Sequence, residues 1–160
     1  MIWDGPKNEQ EITTTYKIWE TEFGAERDSR FAIEQINVPG IIGCIGLNHH
    51  NDPEKAELGY WLATKYWGNS YMSDATRLIC YLGFKYLDLV KIYSPVFMGN
   101  VRSRRVLEKN GFSSEGTLRS HFKKRGEWRD VWYMSLLKSE WEKNQDFFLP
   151  KNESIIMRPH

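Results

Sequence analysis

Ala56-Glu57-Leu58-Gly59-Tyr60-Trp61-Leu62-Ala63-Thr64-Lys65-Tyr66-Trp67-Gly68-Asn69-Ser70-Tyr71-Met72 is the stretch whose reading decides the fold. Residues 56–63 alternate as a strand, a short glycine-containing loop follows, and an amphipathic segment begins at once. That order predicts unpaired backbone N–H groups at a helix N-terminus, a ready site for phosphate. The loop lacks the Lys-Ser/Thr ending of a P-loop and the three spaced glycines of a dinucleotide fold. It points to an anion site of another kind.

Upstream, Met1 to Pro6 reads as an irregular lead-in and Asn8 to Phe23 as a helix, with Ile12, Tyr16, Trp19 and Phe23 at helical intervals. Arg30–Ile36 and Ile41–Leu47 read as a hairpin turning at Pro39-Gly40. Downstream, Met72, Ala75, Ile79, Leu82 and Tyr86 mark one face of a helix, and Lys91–Phe97 is a strand. Pro95 has no N–H to give, which predicts a missing neighbour there. Asn100 is the expected N-cap of a helix through Asn110, with Gly111 just past its end. Ser113–Phe122 and Trp128–Leu137 are two more strands joined through residues 123–127, and a short helix runs near Ser139–Lys143. The reading is α/β (α+β): a mixed, mostly antiparallel sheet flanked by helices. Residues 1–145 read as a single domain and 146–160 as a C-terminal tail.

The chain has 160 residues, 41% hydrophobic and 27% charged, with a net charge of +1, as expected of one soluble domain rather than a nucleic-acid binder. No apolar run reaches the roughly 18–20 residues of a membrane span and no signal peptide opens the sequence. Cys44 and Cys80 read as buried free thiols in a reducing cytoplasm. The run His49-His50-Asn51-Asp52 has no further ligand cluster beside it, so no metal is expected.

Three segments together resemble the GNAT superfamily of acyl-CoA N-acyltransferases: Ala56–Ala75, Asn100-Val101-Arg102-Ser103 through Asn110-Gly111-Phe112, and Trp128-Arg129-Asp130. The RimJ/RimL-like branch, which includes ribosomal-protein N-terminal acetyltransferases, is the most similar. The resemblance runs from Arg30 to Trp141. It implies a twisted sheet whose central strands splay apart, and an acetyl-CoA cosubstrate that gives up its acetyl group by direct transfer in a ternary complex. The family's loop pattern falls on residues 65–70, with Lys65 and Ser70 departing from it. By the same resemblance, the N-terminal strand and helix with which relatives begin are expected to be missing. The bare sheet edge that would result calls for a homodimer, for cover by the C-terminal tail, or for a shortened relative.

By resemblance, backbone N–H groups from Trp67, Gly68, Asn69, Ser70 and Tyr71 hold the pyrophosphate, with Lys65 beside them. The strand end Trp61, Leu62 and Ala63 pairs with the pantetheine arm, and Asn100 and Ser103 meet it from the second helix. The tyrosine acid of many relatives is replaced by Leu107; the resemblance to the RimL-like branch, which uses the serine instead, implies Ser103 as the proton donor to the leaving thiolate. Glu57 is the candidate base, because it lies on the strand leading to the cofactor loop where other members of the superfamily carry a catalytic glutamate; the RimL-like glutamate of the penultimate strand would fall on Phe122, and neighbouring His121 serves only if its ring turns inward. Arg102, Arg104, Arg105 and Lys109 are candidates for the CoA 3′-phosphate or simply a solvated helix face. The implied reaction is acetyl transfer to a primary amine, a protein N-terminus or a small amine. A non-catalytic acyl-CoA-binding or protein-interaction module is the alternative.

Overall fold

The computed structural model describes residues 29–36, 38–148 and 155–159. The helix expected over Asn8–Phe23 lies outside them. The described chain forms β1 (Ser29–Gln35), β2 (Val38–Asn48), β3 (Lys55–Leu62), a 3-10 turn (Thr64–Tyr66) and α1 (Tyr71–Lys85). Then come β4 (Lys91–Phe97), α2 (Val101–Lys109), β5 (Ser113–Lys124) and β6 (Glu127–Leu137). Two short helices, α3 (Lys138–Glu142) and α4 (Gln145–Phe148), precede β7 (Ile155–Pro159).

The strands make one sheet in the order β5-β6-β4-β3-β2-β1-β7. Every neighbouring pair is antiparallel except β3 and β4. Those two run parallel because α1 carries the chain over between them, as a parallel crossover requires. The tail supplies β7, which pairs with β1 from Phe31↔Pro159 to Gln35↔Ile155 and covers its outer edge.

The expected helix face holds at Met72, Ala75 and Ile79, with Leu82 packed against the core, and fails at its C-terminal end. Buried positions on α1 are Met72, Ala75, Thr76, Ile79, Cys80, Gly83 and Phe84, while Tyr86 is 71% exposed. This stripe keeps the three-and-four spacing but is rotated toward Phe84, with Gly83 packed too closely on the sheet to admit a side chain. A Cβ there would come within 2.9 Å of Ile92 Cδ1. Trp141 and Phe148 close the far end of the core, the Trp141 ring lying 5.5 Å from that of Phe84 and 6.3 Å from that of Phe148.

Two turns also move. Pro39-Gly40 lies within β2, which begins at Val38, and irregular register between Ile33 and Gln35 absorbs the bend. The β5–β6 turn is the pair Arg125-Gly126, with φ of 50° and 83°, rather than five residues. Two left-handed residues suit the twist of a tight hairpin.

Candidate active site at the parting of two strands

β3 and β4 pair only at Lys55↔Lys91, Ala56↔Ile92 and Glu57↔Tyr93. Beyond that point β3 continues to Leu62 and β4 to Phe97 without pairing, and a cavity of about 1260 Å³ opens between and around them. The sequence favours the parting on both sides. On β4, the Met98 N–H bonds the Asp130 carbonyl at 3.0 Å, and alternation then turns the Pro95 nitrogen away from β6, toward the opening. No strand can donate to a partner from there. On β3, the Ala63 N–H reaches back to Ile42 at 2.9 Å, so the Leu62 carbonyl faces the opening.

Two of the outward carbonyls near the parting meet a side chain. Ser94 Oγ donates to the Leu58 carbonyl at 2.9 Å, one step beyond the last paired residues. The Trp67 indole donates to the Leu62 carbonyl at 2.8 Å. Between these two, the backbone of Tyr60 faces the same way.

The anion loop follows. Gly68 has φ 84° and Ser70 φ 62°, so two left-handed residues turn the chain into α1. Ser70 adopts the conformation despite its Cβ, and its side chain makes no capping bond. The first N–H groups of α1 have no acceptor within the helix and face an uncapped end. Asn69 braces the loop, its amide donating to the Tyr66 and Trp67 carbonyls at 3.2 and 3.3 Å. Lys65 lies over the Tyr66 ring, 4.9 Å from its centre. Trp61, Leu62, Ala63, Trp67, Gly68, Ser70 and Tyr71 line the cavity, whereas Lys65 and Asn69 do not.

The second helix forms the opposite wall. Asn100 caps α2 through its side chain, which accepts from the Ser103 N–H at 3.3 Å. Ser103 Oγ and the Tyr60 hydroxyl are 2.9 Å apart, and the same hydroxyl lies 3.1 Å from the Ser103 carbonyl. Burial pushes the Tyr60 phenol up to about 12. Sequence reasoning gave Tyr60 no role; it alternates with Leu58 and Leu62, and a tyrosine on a face shared with two leucines needs a partner for its hydroxyl, which was the available signal. Leu107, one turn beyond Ser103, is fully buried in the core. Asn110, also buried, donates to Ser73 Oγ at 3.1 Å and to the Val106 carbonyl at 2.9 Å, fixing the end of α2 to the start of α1.

Glu57 stands at the fork itself. Its Oε2 lies 3.0 Å from His50 Nε2, and its side chain is 16% exposed against 53% for the histidine. Both residues line the cavity with Asn100 and Ser103. Across the fork, Tyr93 stacks on Tyr133 with ring centres 5.3 Å apart. Desolvation first, then the Glu57 carboxylate, raises the Tyr93 phenol, and Tyr133 is pushed up to about 12 for similar reasons.

The remaining candidates separate. Phe122 lines the cavity, but two extra residues in β5 between Leu118 and Phe122 throw the backbone outward at Ser120, whose N–H bonds Asp130 at 2.8 Å. His121 is exposed on that bulge, its ring against Phe122. Arg102 stacks over Trp67 at 4.8 Å, joining the two walls, and Arg104 pairs with Glu108 at 2.7 Å. Arg105 and Lys109 line the cavity. His49 Nδ1 lies 3.3 Å from the Asp52 carbonyl, and no group of three or more His, Cys, Asp or Glu residues gathers as a metal site among the described residues.

Comparison with known proteins gives one family. Residues 1–113 match the model of the acetyltransferase (GNAT) domain. The chain is 37% identical over 103 residues to "Putative ribosomal N-acetyltransferase YdaF" of Bacillus subtilis (strain 168), covering 64% of this chain and 55% of that protein. It is 26% identical over 117 residues to spermidine N(1)-acetyltransferase of Escherichia coli (strain K12), covering 72% and 62%. It thus spans less than two thirds of these relatives' length. A GNAT-family acetyltransferase structure from Bacillus anthracis superposes with a TM-score of 0.69 at 26% identity, over 78% of this chain and 74% of that one.

Proposed function

Because the chain belongs to the GNAT acetyltransferase family, we propose that it moves an acetyl group from acetyl-CoA to a primary amine, by direct transfer in a ternary complex. The parting of β3 and β4 carries this reading, since a cleft with backbone hydrogen-bonding groups along one wall suits an arm rich in amides. Tyr60 and Leu62, whose backbone faces the opening, would meet that arm from β3, flanked by Trp61 and Ala63, and Asn100 would meet it from α2. Backbone N–H groups from Trp67 to Tyr71 would hold the pyrophosphate, in a loop that Asn69 keeps in shape and that Lys65 reaches by rotation. Acetyl-CoA supplies the activated acyl group.

The chain's own groups supply the proton handling. Glu57 takes the proton of the incoming ammonium, and exposed His50 passes charge on toward solvent. An α-amine costs roughly 1 kcal/mol to deprotonate at pH 7 and a lysine about 4–5 kcal/mol, so a single carboxylate suffices most readily for an N-terminus. Ser103 holds its hydroxyl proton toward the departing sulfur, the role for which buried Leu107 offers no alternative. The serine acid is the RimJ/RimL-like part of this arrangement, whereas the base differs from that branch, and the names of relatives bring two acceptor classes into view: ribosomal proteins and spermidine.

The test is calorimetric titration with acetyl-CoA, followed by free-thiol release with a panel of peptides and small amines. Binding with turnover is expected, and the panel identifies the acceptor. Binding without turnover on any amine would replace the enzyme with a non-catalytic acyl-CoA-binding module.

A further inference from the structure

We propose that Tyr60 is a positioning residue that decides which way Ser103 points its proton. The inference rests on the acetyltransferase reading above. A phenol has one proton to give, and Tyr60 has two acceptors in reach, both on Ser103: the carbonyl at 3.1 Å and Oγ at 2.9 Å. If the phenol donates to the carbonyl, the serine hydroxyl donates back to the phenol and its proton is turned into the protein. If the phenol donates to Oγ, the serine proton has to point elsewhere, and the cavity that Ser103 lines is where it can go.

Exchange between the two arrangements rotates two hydroxyl hydrogens and moves no heavy atom. The Ser103 carbonyl sits in the first turn of α2, where the helix's own N–H four residues on also reaches it, so the phenol is not needed to satisfy it. Negative charge on a departing thiolate favours the outward arrangement, because the chain from Tyr60 to Ser103 to sulfur then polarises in one direction. Tyr60 keeps its own proton throughout. Its burial serves this, since a phenol pushed up to about 12 donates a hydrogen bond without ionising.

The test titrates the thiol of bound CoA, followed by the ultraviolet absorbance of the thiolate, on the wild type, Tyr60→Phe, Ser103→Ala and the double variant. The thiol should ionise at the lowest pH on the wild type, higher on Tyr60→Phe and highest on Ser103→Ala, with the double variant matching Ser103→Ala. In turnover, Tyr60→Phe should lower kcat roughly tenfold with KM near that of the wild type. That loss should shrink with the selenoester of CoA, whose selenolate leaves with less help. Equal thiol titration on wild type and Tyr60→Phe, or a loss confined to KM, overturns the proposal and leaves Tyr60 a brace between the walls. Should Tyr60→Phe fail to fold, a more acidic fluorotyrosine placed at position 60 keeps the shape and should lower the thiol titration further; no change there also overturns it. A wild type that binds CoA yet releases no thiol with any amine overturns the enzyme reading instead, and the thiol titration still decides the part played by Tyr60.

Discussion

The Trp67 indole and the Leu62 carbonyl are hydrogen-bonded at 2.8 Å, tying the anion loop to the end of the strand that precedes it. The bond spans the 3-10 turn, so loop and strand end hold one geometry. Replacing Trp67 by Phe keeps the ring under Arg102 but removes the donor. We expect a loss of about 1 kcal/mol in stability and weaker acetyl-CoA binding, measured by thermal unfolding and calorimetry. Unchanged affinity would mean the loop keeps its shape without the tether.

Ser70 offers a change of opposite sign. At φ 62° its Cβ costs roughly 1–2 kcal/mol, its hydroxyl caps nothing, and the extra unfolded-state freedom of glycine returns about half of that. Ser70→Gly should therefore raise stability by about 0.5–1 kcal/mol and leave acetyl-CoA binding equal or tighter. A fall in melting temperature would show that the serine does something the hydrogen bonds do not reveal.

Glu57→Gln keeps shape and a hydrogen-bonding oxygen while removing the base. Turnover should drop about a hundredfold or more with acetyl-CoA affinity retained, and His50→Ala should cost less. Full activity in Glu57→Gln would remove the carboxylate from the mechanism.

Tyr60 also predicts an alkaline limit to stability. Its phenol is pushed up from 10.0 to about 12 by burial, so the fold favours the neutral form. That contribution is complete below pH 10 and is lost as pH rises toward 12, a matter of roughly 2–3 kcal/mol. Denaturant titrations over this range should fall more steeply for the wild type than for Tyr60→Phe; parallel curves would contradict the assigned cause.

Asn110 and Ser73 should behave as one unit. Each single change to Ala is expected to cost about 1–2 kcal/mol, with the double variant costing less than the sum. Strict additivity would show that the 3.1 Å contact contributes nothing.

Much of this site was legible because its signals are local. The Asn100 cap, the Gly111 stop and the glycine loop each depend on a few neighbouring residues, and Pro95 announced its missing partner by lacking a donor. What escaped depends on distance. Tyr60 and Ser103 are 43 positions apart, and no periodicity links them. The rotated face of α1 followed from contact between Gly83 and Ile92, which only the packed sheet reveals. The bulge at Ser120 arose from a register shift between strands, and that shift carried His121 outward.

The pairing of β7 with β1 also sets an order of events during synthesis. The first strand of the described sheet leaves the ribosome more than a hundred residues before the strand that covers it. Until residues 155–159 emerge, no other strand among the described residues covers that hydrogen-bonding edge of β1, and it can pair with another extended chain, including a second nascent copy. The nascent protein therefore passes through an interval in which its core strands are made but that border is open, and a chaperone that masks an extended edge would act on it then.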